Sequence, residues 1–561
     1  MPGLAGCRPF WSVLLPNIYA DEFERVARTA FSMWNRDPAS PSYGSFDRQY
    51  WGWKYKDFSD ATLQYAVRLA VEYAKHFDKT SMLPSLLDGY VTFCGNIQRR
   101  DGSFDQCYPY ERTPGVVYDI LSTLIYVRQS PSLISDKSRA ELEDIIANAA
   151  RFALRTDEKH GLIANHLAEY AYELFNFADY ASDDRARSKA ENYLERTLSL
   201  FEADEGWFHE YDGPDAGYQT RTLRYLAKIA ALLDKPGLWD VIRKSADFVG
   251  ELLMPDGSIH PMLGSRSTAI IYPSAFETLA AHDDRYRALA DRVCSAWQHA
   301  RVPLPSQIDF GNAIRLAHDA LDAAIARSGK PDPNSIVSAS LSNSDFPKAG
   351  ISIRRNSQRE FYLGYRLGGV IVVYAQEGDG SWKLAYEDSG YLLKSPKPAE
   401  IWVTRIPGSG RLLECPAGHW VVVAGFQRSL HDELTPARML MLRLLNLTFL
   451  RIQWIGDLFR KVVVRHLMSG RAAVPLELKR DIVIEETLIR VTDSITGDAG
   501  FIAGQGMTLY LCRRVTGTHM ASARYFQEQE LEKIDIAWLQ EMPSSLNSTM
   551  SRVVSTARPT R

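Results

Sequence analysis

The chain has 561 residues, 45% of them hydrophobic and 24% charged, the balance of an ordinary globular protein with room for two or three domains. That composition excludes a largely disordered polypeptide. With 65 Lys and Arg against 68 Asp and Glu the net charge is only −3, so no global field draws nucleic acid or an anionic membrane, and a polyanionic ligand has to be held in a local cleft.

At the amino terminus a single basic residue, Arg8, precedes a short apolar stretch broken by Pro9 and Pro16, with no convincing cleavage site. This is a poor signal peptide, so a cytoplasmic location is expected, with the periplasm as the alternative. The six cysteines, at 7, 94, 107, 294, 415 and 512, show no C-x-x-C pair and no zinc-like spacing. Free, mostly buried thiols are expected, Cys94 and Cys107 being the pair that an oxidising compartment could join. No metal and no cofactor is predicted.

From residue 20 to about 325 the apolar spacing is helical. Leu63, Ala66, Val67, Ala70, Tyr73 and Phe77 line one face of a segment that Ser59 can cap. A Gly followed, two residues on, by Phe or Ile recurs five times: Gly44 to Phe46, Gly102 to Phe104, Gly161 to Ile163, Gly206 to Phe208 and Gly257 to Ile259. Each interval has room for two helices and two loops, so the pattern predicts stacked helical hairpins with their post-glycine loops gathered at one end. An open solenoid satisfies the same repeat as a closed (α/α) toroid. Aromatic and polar residues concentrated in loops favour the toroid, with a cleft across its mouth.

The composition changes at Ser328-Gly329-Lys330-Pro331-Asp332-Pro333-Asn334-Ser335, and beyond it the period falls to two. Phe361 to Tyr365 and Val370 to Tyr374 flank Gly368-Gly369 as a hairpin, and Trp420 to Val423, Ile482 to Ile484 and Leu488 to Val491 continue the strand pattern. The expected organisation is a toroid over 1–330, a linker over 331–345 and an antiparallel β-sandwich over 346–561. The apolar stretch from Met439 to Leu467 is interrupted by Arg443, Arg451, Asp457, Arg460 and Lys461, far short of a membrane span. It reads as buried core of the second domain, a membrane-surface segment being the alternative.

Two segments hold the most informative side chains: Asn165-His166 in GLIANHLAEY, and Tyr218 in EGWFHEYDGPDAGYQ. On spacing alone, a His beside a helix start is an ordinary structural residue and Tyr218 an ordinary packing residue. Asn165-His166 resembles the Asn-His pair of heparinase II/III-like polysaccharide lyases and related alginate lyases. Glu210 through Tyr218 resembles their Glu-Gly-Pro-Gly-Tyr-type loop, lengthened here by Tyr211, Asp212, Asp215 and Ala216. Asp101 to Asp105, Tyr108-Pro109-Tyr110-Glu111, Phe346 to Gly350 and Asp388 to Tyr391 are similar to further segments of that family. The resemblance implies β-elimination on a uronic-acid-containing acidic polysaccharide or oligosaccharide, and the near-neutral charge leaves no expectation of a nucleic-acid partner.

That chemistry removes the proton beside a carboxylate, protonates the departing glycosidic oxygen and neutralises the carboxylate as charge accumulates on it. The resemblance implies that Asn165 holds the carboxylate while His166 and Tyr218 share the base and acid roles. Arg266 is a second partner for the carboxylate, because a guanidinium matches its geometry, and an interhelical salt bridge is its structural alternative. His209, Glu210, Tyr211, His260 and Tyr110 complete the expected substrate-binding set. In one respect the sequence departs from the family. Where its members carry a His-rich stretch after the β-domain Gly-Gly, this chain reads Tyr374-Ala375-Gln376-Glu377-Gly378. Either His209 or His260 takes over that role, or Tyr374 substitutes, or the protein binds glycans without cutting them.

Two other readings stand beside the lyase. A glycoside hydrolase of a bacterial-type polysaccharide would use a carboxylate pair, Asp105 with Glu111 or Glu210 with Asp212. A non-catalytic glycan-binding protein of polysaccharide biosynthesis would stack sugars on aromatic segments such as Tyr50-Trp51-Gly52-Trp53-Lys54-Tyr55.

Overall fold

The computed structural model describes residues 17–46, 61–104, 114–157, 163–211, 213–327, 342–396, 400–405, 408–414, 418–430, 435–452, 454–456, 458–459, 473–485, 488–497, 507–515, 529–534 and 546–555. The amino-terminal part consists of helices paired in sequence. They are α1 (Ile18–Met33) and α2 (Val67–His76), α3 (Leu83–Ile97) and α4 (Pro114–Arg128), and α5 (Asp136–Arg155) and α6 (Ala164–Ala181). Then follow α7 (Asp184–Ser199) and α8 (Ala216–Leu233), α9 (Pro236–Leu252) and α10 (Ser274–His282), and α11 (Arg287–Gln298) and α12 (Phe310–Ala326). Side chains cap several of these starts in the usual way: Asn17, Ser135, Asp183, Asp215 and Asp309 each accept a first-turn backbone N–H.

The second helices of the pairs touch in a ring. Helix α4 packs on α6, α6 on α8, α8 on α10 and α10 on α12, and α12 returns to α2, which also meets α4. That closure decides for the toroid and against an open solenoid. The segment from Leu63 to Phe77 is helical, but Ala61–Ala66 is a tighter 3-10 stretch and the α-helix begins only at Val67; Ser59 lies outside the described residues.

The glycine repeat is a turn that joins an outer helix to the following inner one. Gly44, Gly102, Gly206 and Gly257 have φ of 85°, 92°, 86° and 82°, a region open to glycine, while Gly161 lies outside the described residues. Around each turn the chain pairs back on itself. Trp34 bridges Phe46, Gln98 bridges Phe104 and Leu253 bridges Ile259, and around Gly206 the pairing lengthens into strands β1 (Phe201–Glu202) and β2 (Trp207–Phe208). Each turn also presses on the next outer helix: a Cβ on Gly102 would sit 2.0 Å from the Asn148 carbonyl oxygen, and one on Gly44 1.8 Å from that of Gly89. Gly102→Ala therefore meets both a strained φ and a backbone clash. It is expected to cost roughly 2–4 kcal/mol in denaturant unfolding, and a loss below about 0.5 kcal/mol would show that the turn can move aside.

The carboxy-terminal part is antiparallel throughout. A first sheet runs β3 (Ser344–Phe346), β4 (Ile351–Asn356), β5 (Arg359–Gly364), β6 (Val370–Gln376) and β7 (Trp382–Asp388) in sequence order. The predicted hairpin is β5 against β6, joined through a 3-10 turn and the two left-handed glycines, Gly368 and Gly369. A second sheet holds β8 (Tyr391–Lys394), β9 (Glu400–Val403), β10 (Gly410–Glu414), β11 (His419–Leu430), β12 (Ala473–Ile484), β13 (Leu488–Gly497), β14 (Thr508–Val515), β15 (Gln529–Ile534) and β16 (Leu546–Ser555). Its order is β15-β14-β8-β9-β11-β12-β13-β16, with β10 on β11.

Strand alternation explains why the first sheet is apolar on both faces. Tyr362, Val370, Val372 and Tyr374 join the toroid core, while their neighbours Phe361, Leu363, Ile371 and Val373 pack on Trp420, Val422, Ile482 and Val491 of the second sheet. The first sheet is thus the layer that welds the sandwich to the toroid. Polar contacts reinforce the seam: Arg355 donates to the Glu251 carbonyl at 2.6 Å, and Lys348 reaches Glu202 and Asp204 at 2.6 Å each. Most of the expected linker, 331–345, lies outside the described residues.

One expectation is corrected. Among the described residues the stretch from Met439 is largely exposed rather than buried core: helix α13 (Pro436–Leu447) carries Leu440, Met441 and Leu444 on the surface, although Leu450 just beyond it is buried, and β11 and β12 pair directly with each other. The cysteines follow the expectation of free, buried thiols at Cys94, Cys294 and Cys512, while Cys107, which an oxidising compartment could join to Cys94, lies outside the described residues.

Candidate active site

The loops at the mouth of the toroid precede α6, α8 and α10, and they bring most of the predicted residues together. Asn165 and His166 stand in the first turn of α6. The strand-like bridge from Ile163 to Glu210 sets the next loop beside them, and Ala164 donates its N–H to the His209 carbonyl at 3.3 Å. Asn165, 1% exposed, donates to Glu210 twice, from its backbone N–H at 3.0 Å and from Nδ2 at 2.8 Å. Burial pushes the Glu210 carboxyl up to about 8, against the two Asn165 hydrogen bonds that favour its charged form. His166 and Tyr218 are the accessible positions in otherwise buried helix starts.

Asp215 organises the other half of the site. It caps α8 by accepting from the Tyr218 N–H at 3.1 Å, and it also accepts from the Arg266 N–H at 3.0 Å, the Thr268 N–H at 3.4 Å and the Thr268 hydroxyl. One buried carboxylate therefore fixes the loop before α10 against the start of α8. Gly217 permits this approach, since a Cβ there would lie 2.4 Å from Thr268 Oγ1. Ser265 ties the same loop to Glu210 by donating to its carbonyl at 2.8 Å. Arg266 then lies over the Tyr211 ring, 4.5 Å from its centre, and Tyr211 is held in the left-handed region at φ 62°.

Desolvation pushes the Tyr218 phenol up to about 12, and the charges of Arg266 and Arg221 pull it back. At neutral pH it is a protonated donor with two guanidinium groups near enough to stabilise its anion. Arg221, one turn along α8, is ion-paired to Glu169 at 2.7 Å, and Tyr225 donates to the same carboxylate at 2.7 Å. Although burial opposes it, the positive charges of Arg221 and Arg315 hold Glu169 down at about 2. Neither Arg221 nor Glu169 was among the residues picked out from sequence. The available signal was spacing: Tyr218 and Arg221 are three apart on one helix face, as are His166 and Glu169.

His209 and His260 look toward the β-domain. The His209 ring packs on Trp207 with centres 4.6 Å apart, and desolvation, reinforced by Arg366, lowers its pKa against the pull of Glu202. His260 Nε2 lies 3.4 Å from Glu387 Oε2 at the end of β7. Tyr374 is buried and its phenol is pushed up by desolvation among Asp256 and Ser258. Tyr110, the Asp105 and Glu111 pair, Asp212 and the aromatic run from Tyr50 to Tyr55 lie outside the described residues. Among the described residues no group of three His, Cys, Asp or Glu is placed to hold a metal ion.

The arrangement is similar in fold to solved carbohydrate-active enzymes. The chondroitin AC lyase of Streptomyces coelicolor A3, in complex with chondroitin sulphate, aligns with a TM-score of 0.54 at 11% identity, covering 98% of this chain and 80% of that one. A heparan sulfate lyase from Pedobacter heparinus gives 0.39 at 12% identity, over 88% and 70%. An α-1,6-mannanase from Salegentibacter sp. gives 0.35 at 13%, over 55% and 99%. No protein-family model and no curated protein matches the sequence. The first alignment establishes a shared fold, an (α/α) toroid followed by a β-domain, and fold alone does not assign a substrate.

Proposed function

We propose that the chain is a polysaccharide lyase that cleaves a uronic-acid-containing acidic polysaccharide by β-elimination. The observation that carries this reading is the placement of the Tyr218 phenol near the charges of Arg266 and Arg221, at the start of the helix that follows the loop Glu210 ties to Asn165. In the proposed reaction His166 takes the proton from the carbon beside the carboxylate. The electron pair left behind forms the new double bond, the bond to the glycosidic oxygen breaks, and Tyr218 gives its proton to that leaving oxygen. Arg266 neutralises the carboxylate on which charge accumulates, and Asn165 keeps a second amide hydrogen for it while the first braces Glu210.

The β-domain His of the family has no counterpart needed in this scheme, because both proton transfers are made from α6 and α8. The Glu210 and Asp212 pair suits a hydrolase less well: Glu210 is 1% exposed and both of its oxygens accept from Asn165.

Ultraviolet absorbance of the unsaturated product, followed over a panel of uronate-containing polysaccharides, tests the proposal. Arg266→Ala is expected to lower kcat on the active substrate by ~10²–10³-fold, the usual loss of one positioned charge-stabilising donor. Arg266→Lys should recover only part, since an ammonium keeps the charge without the planar fork. New reducing ends without any rise in absorbance would replace the lyase by a hydrolase.

A further inference from the structure

The backbone of Tyr211 lies in the left-handed region at φ 62°, a conformation that a bulky residue holds only when its surroundings enforce it. Here they do so from both sides. Glu210 donates its N–H to the Gly213 carbonyl at 3.0 Å, and its carboxylate is held by Asn165 of α6 at 3.0 and 2.8 Å. Ser265, in the loop before α10, donates its hydroxyl to the carbonyls of Glu210 at 2.8 Å and Gly213 at 3.2 Å. Arg266 comes next, with Asp215 accepting its N–H at 3.0 Å. Tyr211 and Arg266 are thus each anchored through a neighbouring residue or their own backbone, and their side chains meet with the guanidinium carbon 4.5 Å from the ring centre.

The form of this contact decides what Arg266 can do. Three arginines on the inner helices are committed to carboxylates: Arg221 to Glu169, Arg224 to Asp319 and Arg315 to Asp119. The half-buried Arg266 side chain makes no ion pair and no hydrogen bond among the described residues, and its contact is the Tyr211 ring. A guanidinium carries its five N–H donors in its own plane, so a ring against its face restrains it and leaves the donor edge uncommitted. That edge is the part that matches a carboxylate with two parallel hydrogen bonds. Burial raises the pKa of the Glu210 carboxyl and of the Tyr218 phenol, and the Arg266 charge pulls both back, so the cation lies close to both side chains.

We infer that Tyr211 is a positioning residue whose ring holds the Arg266 guanidinium with its donor edge toward the carboxylate of a uronic acid, an inference that rests on the reading of the site above. Methyl galacturonoside and methyl glucuronoside, each beside the corresponding neutral hexoside, test it by ligand-observed NMR titration of the full chain. Neither carries a sugar on its C4 oxygen, so elimination does not consume them. The parent is expected to bind at least one uronoside more tightly than its hexoside. Tyr211→Asn removes the ring but suits the left-handed backbone, and it should weaken that uronoside about tenfold while leaving the hexoside and the melting temperature unchanged. Tyr211→Phe keeps the ring and should stay within about twofold of the parent. In an Arg266→Ala background Tyr211→Asn should cost nothing further, because the two side chains act as one unit. A parent with no preference for either uronoside overturns the inference, as does Tyr211→Asn binding like the parent. An equal loss for uronoside and hexoside also overturns it, since the ring would then serve the sugar rather than Arg266. A Tyr211-dependent preference in a protein that yields no unsaturated product from any uronate polymer would remove the elimination and uphold this role of Tyr211.

Discussion

Tyr218→Phe is expected to slow the proposed β-elimination by ~10²–10⁴-fold in kcat, with KM and thermal stability close to those of the parent. The substitution removes one oxygen from a side chain whose hydroxyl makes no hydrogen bond among the described residues, while the backbone N–H that anchors it to Asp215 is untouched. Packing therefore survives. What is lost is the proton for the leaving oxygen, held on the phenol at neutral pH because burial pushes its pKa up to about 12. His166→Ala should be comparably damaging through the opposite proton transfer. The decisive measurement is the initial rate of ultraviolet absorbance on whichever uronate polymer the parent cleaves. A Tyr218→Phe enzyme turning over at the parental rate would remove Tyr218 from the reaction and return attention to carboxylates.

The contrast between Tyr218 and Asp215 shows what could be read from sequence. The glycine turns were legible because the four that are described each require a positive φ, and a residue type forced by backbone geometry leaves a periodic mark. They give five copies where the described toroid has six hairpins, since the loop from α11 to α12 carries no such glycine. Ring closure was not legible, because it depends on α12 meeting α2 from the other end of the domain. At the site, Asn165, His166, Glu210, Tyr211 and Tyr218 stand out by resemblance, and Arg266 by the match of a guanidinium to a carboxylate. Asp215 looked like mere lengthening of a loop, although an Asp three residues before a helical Tyr is the signature of a cap. Its second task, gripping Arg266 and Thr268 about fifty residues on, has no local signal. The α13 stretch misled for the same reason: an apolar run is compatible with core or surface until strand register shows whether the sheet encloses it.

Arg480 is the clearest case of a tertiary determinant that no pattern announces, and Arg480→Met is expected to destabilise the β-domain by about 3–5 kcal/mol. The residue lies on β12 and is fully buried, in a strand whose inward positions are otherwise apolar. Its guanidinium binds Asp493 of β13 at 2.8 and 2.9 Å, Asp388 at the end of β7 at 3.0 Å and the Gly369 carbonyl at 2.8 Å. Asp493 and Arg480 belong to the second sheet, whereas Asp388 and Gly369 belong to the first, so one side chain spans the sandwich. Tyr391 donates to Asp493 at 2.7 Å, and Gly390 donates its N–H to Asp388 at 2.9 Å, leaving few lone pairs unsatisfied. Methionine fills much of the same volume, so the cost comes from two carboxylates left in an apolar layer without their cation. Removing the charges as well separates the two contributions. With Asp388→Asn and Asp493→Asn added, the triple variant should recover a large part of the loss, as replacing all members of a buried ionic cluster often does. Because this layer also packs on the toroid, denaturant unfolding followed by tryptophan fluorescence should show the single variant unfolding at lower denaturant. A single variant within about 1 kcal/mol of the parent would mean that apolar packing between the sheets, centred on Trp420 and Phe361, fixes the sandwich without the ionic bridge.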